Sequence, residues 1–457
     1  IASGVRDRAG HLIDHQLQEP AGYLAERLGK AAPPGSTWAA GALYRLVRRD
    51  FVWTEAAALE VDDPVQRRLP RSIRVHVLVR PLTREERARA AEQAKGDLVG
   101  RDAELADLHA AYHQVASATE RVQIGCRVIF GEMGIGKSAL VAAFLGELPS
   151  EAVVVHAECS PAQTELPYAA VGAWVRALTG AQADLANDEV TREITAALGD
   201  LAPGRHGESI VARLAEVATG RVPAAADETD VAHNRRLITS GVRRILARAA
   251  AERPVVIVVD GLSWCDRPSL ELTAELVRWR DPLRVLVVLM TRPDDRVTPY
   301  VEGMVRVELK GLSAENQMRL LENRLGASNV SQVCADLLPR AAGNPFFLIE
   351  MVDSLLERGA LELGELPDGT QQLIRHERGE AAEALPSTLE ALIADRLAEL
   401  PGPERAVIDW LAIAGGPVAE RDLVALAGAS AEEAIVRLCA RGVCDVRNEL
   451  VEVRHPL

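Results

Sequence analysis

The 457-residue chain lacks any apolar run able to cross a bilayer: runs such as 255–259 and 285–290 fall far short of the roughly 20 that a membrane helix needs. It also lacks a positive balance. A net charge of −14 leaves no whole-surface attraction for nucleic acid or anionic lipid. Paired cysteines are missing as well. Cys126, Cys159, Cys265, Cys334, Cys439 and Cys444 stand far apart without metal-ligand spacing, and several sit in apolar runs where a thiol behaves as a small hydrophobe. A reducing cytoplasm is the expected setting. No internal repeat and no biased segment is present. What remains, 48% hydrophobic and 26% charged residues, is ordinary for folded domains, and the length predicts two to four of them. The chain starts at Ile1 without a signal peptide and reads as part of a longer polypeptide.

Along the chain, residues 21–30 predict an amphipathic helix, 43–47 a second apolar segment, and the alternating 73–79 a strand. The polar stretch 83–95 reads as a linker helix. From 98 to about 312 short apolar strands alternate with longer helical stretches, the pattern of a parallel sheet flanked by helices. The strand candidates are 127–130, 152–156, 255–260, 283–290 and 305–309. Thereafter the pattern is almost wholly helical, with helices expected over 314–325, 330–342 and 346–357. Beyond 385 come several short helices and an alternating stretch at 443–453.

Chemistry concentrates at Gly131-Glu-Met-Gly-Ile-Gly-Lys-Ser138, which fits G-x-x-x-x-G-K-[ST] and directly follows a strand. Its glycines let backbone amides converge on phosphate oxygens, and the helix starting near Lys137 adds the positive end of its dipole. Lys137 is expected to reach the β- and γ-phosphates, Ser138 to ligate magnesium, and Ala139 to complete the loop. A carboxylate on a neighbouring strand must position that metal, and Asp260, closing the buried run 255–260, supplies it. Gly261 follows where a second acidic residue would polarise water, so slow or absent hydrolysis is expected. Asp266 either stands in for that group or caps the following helix. Thr291-Arg292 closes the adjacent strand, where Arg292 either reports on the γ-phosphate or is a surface arginine. Gly343-Asn-Pro345 reads as an ordinary turn and helix start.

Taken together, Leu98-Val-Gly-Arg101, the P-loop, Asp260 with Trp264 and Asp266, Thr291-Arg292, Gly343-Asn-Pro345 and Ala394-Asp-Arg-Leu397 resemble the STAND class of signal-transduction ATPases, notably the AAA-type modules of bacterial cyclase-linked and LuxR-type regulators. The resemblance spans about residues 97–457. It implies a P-loop nucleotide-binding domain (97–312), a helical lid (313–384) and a winged-helix domain (385–457), closed over ADP at rest and opened by ATP exchange. It places Val99 and Gly100 at the adenine with Arg101 close by, and Pro345 against the base from the lid. His455 matches the winged-helix histidine that senses the β-phosphate. Residues 1–82, before a linker at 83–96, resemble the C-terminal half of a class III adenylate or guanylate cyclase, a small α+β segment. Arg27 is retained there, but Tyr23 stands where that family has its transition-state Asn, and the family's metal-binding aspartates are absent.

The function expected is therefore an ATP- or ADP-binding, magnesium-dependent switch with at most slow ATPase activity. Its partners would be proteins or effector domains of the same polypeptide, with oligomerisation on activation. Two alternatives stay open: a portion of an active nucleotide cyclase, and a DNA-binding regulator acting through the winged helix. Against the second, residues 401–457 hold six arginines, no lysine and nine carboxylates.

Overall fold

The computed structural model describes residues 2–6, 12–17, 27–33, 36–40, 51–60, 72–81, 98–117, 124–181, 187–199, 204–221, 228–279, 283–327, 329–357, 360–365, 371–376, 386, 388–398, 400–428, 430–440, 443–447 and 450–453. The chain divides into two compact units, Ile1–Gly96 and Asp97–Leu457.

In the first unit β1 (Ala2–Arg6) pairs antiparallel with β2 (Leu12–Leu17). Strands β3 (Thr37–Ala40), β4 (Phe51–Glu60) and β5 (Ser72–Pro81) form an antiparallel sheet in the order β3-β5-β4. The strand expected at 73–79 is β5, and the described end of the expected helix at 21–30 is helical over 27–31. Its small core gathers Leu28 and Val75 with Trp38, Ala56 and Leu59. Strands β1 to β4 were not legible as strands, whereas Tyr23 and the segments 43–47 and 83–95 lie outside the described residues.

The second unit is built on a five-stranded parallel sheet of β6 (Gly125–Phe130), β7 (Val153–Glu158), β8 (Val255–Asp260), β9 (Val285–Thr291) and β10 (Arg306–Glu308), in the order β10-β6-β9-β8-β7. All five expected strands are present. One expectation is corrected: β8 is not the neighbour of β6, because β9 lies between them. Being buried along all seven residues, β9 needs a strand on each side and helices on both faces, which is the central position of such a sheet.

Alternation then divides the core. Ile129, Val256, Val258, Leu286 and Val288 face α1 (Asp102–Ala116) and α2 (Lys137–Gly146). Val128, Val255, Ile257, Val259 and Val287 face the layer containing α3 (Ala169–Thr179), α4 (Asn187–Leu198), α5 (Gly204–Ala218), α6 (Glu228–Glu252) and α7 (Arg267–Val277).

A separate apolar cluster joins α8 (Ala314–Leu325), α9 (Pro345–Glu357), the hairpin β11 (Leu361–Glu365) and β12 (Gln371–Arg375), and α10 (Leu389–Ala398). Here the structure departs from the sequence twice. The single helix expected at 330–342 is instead two one-turn helices, Val330–Val333 and Leu338–Ala341, separated by a 3-10 turn at Ala335–Leu337. Pro339 accounts for the break, since proline fits only the first turn of a helix. The β11–β12 hairpin, beyond the last helix expected there, is the exception to an almost wholly helical pattern. A third cluster joins α11 (Gly402–Ala414), α12 (Glu420–Ala427) and α13 (Ala431–Ala440) to β13 (Val418–Ala419), β14 (Cys444–Arg447) and β15 (Leu450–Val453), whose sheet order is β13-β15-β14. Among the described residues no helix is long and apolar enough to cross a membrane.

Candidate functional site

The loop between β6 and α2 is fixed by its carbonyl oxygens. Lys137 Nζ donates to the Gly131 and Glu132 carbonyls at 2.8 and 2.9 Å. Asn344 Nδ2 donates to Met133 O at 2.8 Å, Phe346 N–H to Gly134 O at 3.3 Å, Arg101 Nη2 to Ile135 O at 3.1 Å, and Leu140 N–H to Gly136 O at 3.0 Å. Every carbonyl from 131 to 136 is thus taken. The amide N–H groups of Gly134, Gly136, Lys137 and Ser138, by contrast, have no protein acceptor among the described residues, as the first turn of a helix dictates. With its carbonyls engaged and these amides left without acceptors, the loop has the main-chain donors of an anion cradle. Gly134 allows the close approach: at φ +76° its added Cβ would meet Phe346 Cβ at 2.8 Å and Asn344 Oδ1 at 2.9 Å.

Charge converges on the same place. Burial pushes the Lys137 ammonium below its ordinary value; Asp260 and Glu132 oppose that shift, and Arg292 adds to it. Arg292 is thus near enough for its charge to act on Lys137. Arg292 lies over the Trp264 ring at 5.1 Å, and Arg296 lies 6.0 Å from the same ring while donating to Ser263 O at 2.7 Å. Thr291 Oγ1 donates to Arg292 O at 2.8 Å and meets Ser263 Oγ at 3.1 Å, which ties the end of β9 to the turn after β8.

The Ser138 hydroxyl lies 3.1 Å from Asp260 Oδ2, bridging α2 and β8 across the intervening β9. These two hard oxygens fit magnesium, which takes one or two protein oxygens and fills its other positions with phosphate oxygens and water. Such an ion, held by Ser138 and Asp260, would supply positive charge to an anion in the cradle.

The turn after β8 is closed. Gly261 has φ +69°, and a Cβ there would stand 2.6 Å from the Cys159 carbonyl oxygen. A side chain in this position would force the backbone at the end of β7 to shift and would be strained at this positive φ. Asp266 resolves to the capping alternative. Its Oδ1 accepts from Ser269 N–H at 3.0 Å, capping α7, and from Tyr168 N–H at 2.7 Å at the start of α3. With 2% exposure it is a buried staple between two helices, removed from any water-polarising role. The carboxylate that register does bring beside Asp260 is Glu158 on β7, paired with it across the strands. Since alternate β7 residues Val155 and Ala157 belong to the opposite core layer, Glu158 shares the α2 face with Asp260, and it is exposed.

The other expected residues divide. Val99 is buried and Gly100 is packed by Asn316 of α8. Arg101, 5% exposed, also donates to Lys310 O at 2.7 Å, so its side chain is committed to bracing the loop. Ser138 and Ala139 are exposed, and Pro345 is half-buried next to the loop-binding Asn344. His455 lies outside the described residues. Sequence reasoning placed Asn344 in a turn and Phe346 at a helix start but missed the contacts of both with the loop, and it missed Glu158, which lies two residues beyond the strand expected at 152–156.

Residues 97–288 match the family model of the AAA ATPase domain, and residues 313–365 match a model described as a domain of unknown function. No curated protein matches the chain. Among solved structures, a STAND protein with a tetratricopeptide repeat sensor from Pyrococcus horikoshii is similar at 16% identity and TM-score 0.44, over 79% of this chain and 41% of that one. The chain thus spans less than half the length of that protein. The Walker-type ATPase of Pyrococcus abyssi aligns at 16% identity and TM-score 0.35, covering 79% of this chain and 94% of that one. Cdc6p of Pyrobaculum aerophilum aligns at 14% identity and TM-score 0.36, covering 78% and 90%. The stretch that matches the AAA ATPase domain model, residues 97–288, contains the cradle, Asp260 and the start of β9.

Proposed function

We propose that residues 97–457 form an ATP/ADP-binding conformational switch of a multidomain, bacterial-type cytoplasmic regulator, with slow or absent ATP hydrolysis. The observation that carries this reading is the loop itself: six successive carbonyls that each accept a hydrogen bond, the amides of Gly134, Gly136, Lys137 and Ser138 without a protein acceptor among the described residues, and Lys137 at the start of α2. Lys137 would neutralise the β- and γ-phosphates, the loop amides would cradle them, and Ser138 with Asp260 would hold magnesium. Slow turnover follows from Gly261, which stands in place of a carboxylate and where a side chain would be strained.

In this reading residues 313–384 act as the lid and 385–457 as a winged helix, for which the order helix, strand, helix, helix, strand, strand from α11 to β15 is the support. That module docks within the protein: nine carboxylates against six arginines over 401–457 give the wrong sign for a phosphate backbone. His455 would sense the β-phosphate and Pro345 the base. Downstream domains of the same polypeptide or a protein partner would receive the signal, with oligomerisation on activation. Residues 1–82 keep a structural role, since Tyr23 replaces the asparagine that a working cyclase needs.

The test is the nucleotide content of purified protein, identified by mass spectrometry after denaturation, in wild type and Lys137→Ala. Bound ADP or ATP in the first and at least a 100-fold loss of affinity in the second are expected, on the scale of removing a charged phosphate ligand. Unchanged nucleotide content in the variant sinks the reading. A steady-state rate above roughly 1 per second would contradict slow hydrolysis.

A further inference from the structure

At the apex of the phosphate loop three successive carbonyls, Met133, Gly134 and Ile135, leave the cradle and each meets a donor from a remote part of the chain. Two of those donors belong to one short segment. Asn344 Nδ2 takes Met133 O at 2.8 Å, and two residues later Phe346 N–H takes Gly134 O at 3.3 Å. The same Asn344 side chain turns its oxygen the other way: Oδ1 accepts from Phe346 N–H and Phe347 N–H, both at 3.1 Å, and so caps α9. One planar amide thus spans the phosphate loop and the first turn of a helix in another apolar cluster. The contact has no slack, because the Gly134 Cβ position is already closed by Phe346 and Asn344. A second anchor holds the same region, with Leu312 N–H donating to Gly343 O at 2.8 Å.

We infer that Asn344 is a positioning residue that couples the phosphate loop to helix α9 through hydrogen bonds to the loop's main chain, so that loading the cradle orders the start of α9 by a route separate from the contact of Pro345 with the base. The inference rests on the nucleotide-binding reading and deepens it, by giving the switch a transmission point. The physical reason is the rigidity of the shared amide. A change in the orientation of the Met133–Gly134 peptide either carries the Asn344 side chain with it or strands a carbonyl and two helix N–H groups. Arg101 braces the neighbouring Ile135 carbonyl and is itself tied to Lys310 O.

Hydrogen exchange on the full chain, with and without magnesium and ADP, tests this. In wild type, ADP is expected to slow exchange both at 132–137 and at 346–349. Asn344→Ser keeps a good capping oxygen for α9 but cannot reach Met133 O, so the slowing is expected at 132–137 only, with ADP affinity reduced about five-fold. Asn344→Asp, which also caps but has no N–H to donate, serves as a second variant and is expected to behave alike. A merely structural role predicts lower stability with the coupling intact, so equal protection of 346–349 in wild type and both variants overturns the inference. Protection of 132–137 but not 346–349 in wild type overturns it as well, leaving nucleotide binding standing. If ADP protects neither segment in wild type, the nucleotide reading fails and the coupling falls with it.

Discussion

Two turns leave the same end of the sheet and have opposite designs. After β6, the chain wraps an open cradle with N–H groups that have no protein acceptor among the described residues, and the Cβ position of Gly136 has open space around it. After β8, the chain is packed shut: Gly261 presses on the Cys159 carbonyl, Trp264 lies beneath two guanidinium groups, and Asp266 is buried between two helix starts. The difference separates two capacities that sequence motifs tend to merge. The first turn is built to take up an anion, whereas the second supplies one carboxylate, Asp260, and then rigid scaffolding.

Breaking the closed turn should have the largest effect. Gly261→Asp adds a side chain at positive φ against a carbonyl and is expected to cost on the order of 4 kcal/mol of stability without raising ATP turnover. Chemical denaturation and a turnover assay check both halves, and a faster, equally stable variant would erase the contrast. Next, Asp266→Ala should cost about 2–3 kcal/mol, because it uncaps α7 and orphans the buried Tyr168 N–H. Asp266→Asn retains the accepting oxygen and should recover most of this, which a denaturant midpoint will show.

The next effect is on selectivity. Trp264→Ala removes the ring under Arg292 and Arg296 and should reduce discrimination of ATP over ADP about five-fold, near 1 kcal/mol, in titration calorimetry with a non-hydrolysable analogue. The smallest effect concerns the open cradle and pH. Because burial holds Lys137 below the ordinary lysine value of 10.5, ADP affinity is present below that lowered pKa and is lost as pH rises through it. The decline should therefore begin earlier than a solvent-exposed lysine allows. Lys137→Arg should flatten it, since a guanidinium stays charged; a fluorescent-ADP titration across roughly pH 7–10 reads both.

Legibility in the sequence followed locality. Strand β8 was readable to the residue because Val255-Val-Ile-Val-Val-Asp260 is a pure apolar run with an abrupt polar end. The cradle was equally plain, since its glycines, lysine and serine are contiguous. The β11–β12 hairpin was hidden by its own composition: Leu, Glu and Gln favour helices, and only pairing such as Leu363 with Leu373 selects the strands. Arg101 and Asn344 were legible as residues but not in their tasks, because their partners, Ile135 and Met133, are chosen by the tertiary fold. The constraint at Gly261 was invisible for the same reason. A sequence shows that a carboxylate is missing there but not that a neighbouring strand end would have to shift to admit it.

That contact has a consequence for how this chain can change over generations. Any side chain introduced at 261 meets the Cys159 oxygen at once, so an acidic group there comes with a shift of the end of β7. The close approach between these strand ends therefore sets a stability cost on acquiring a second acid.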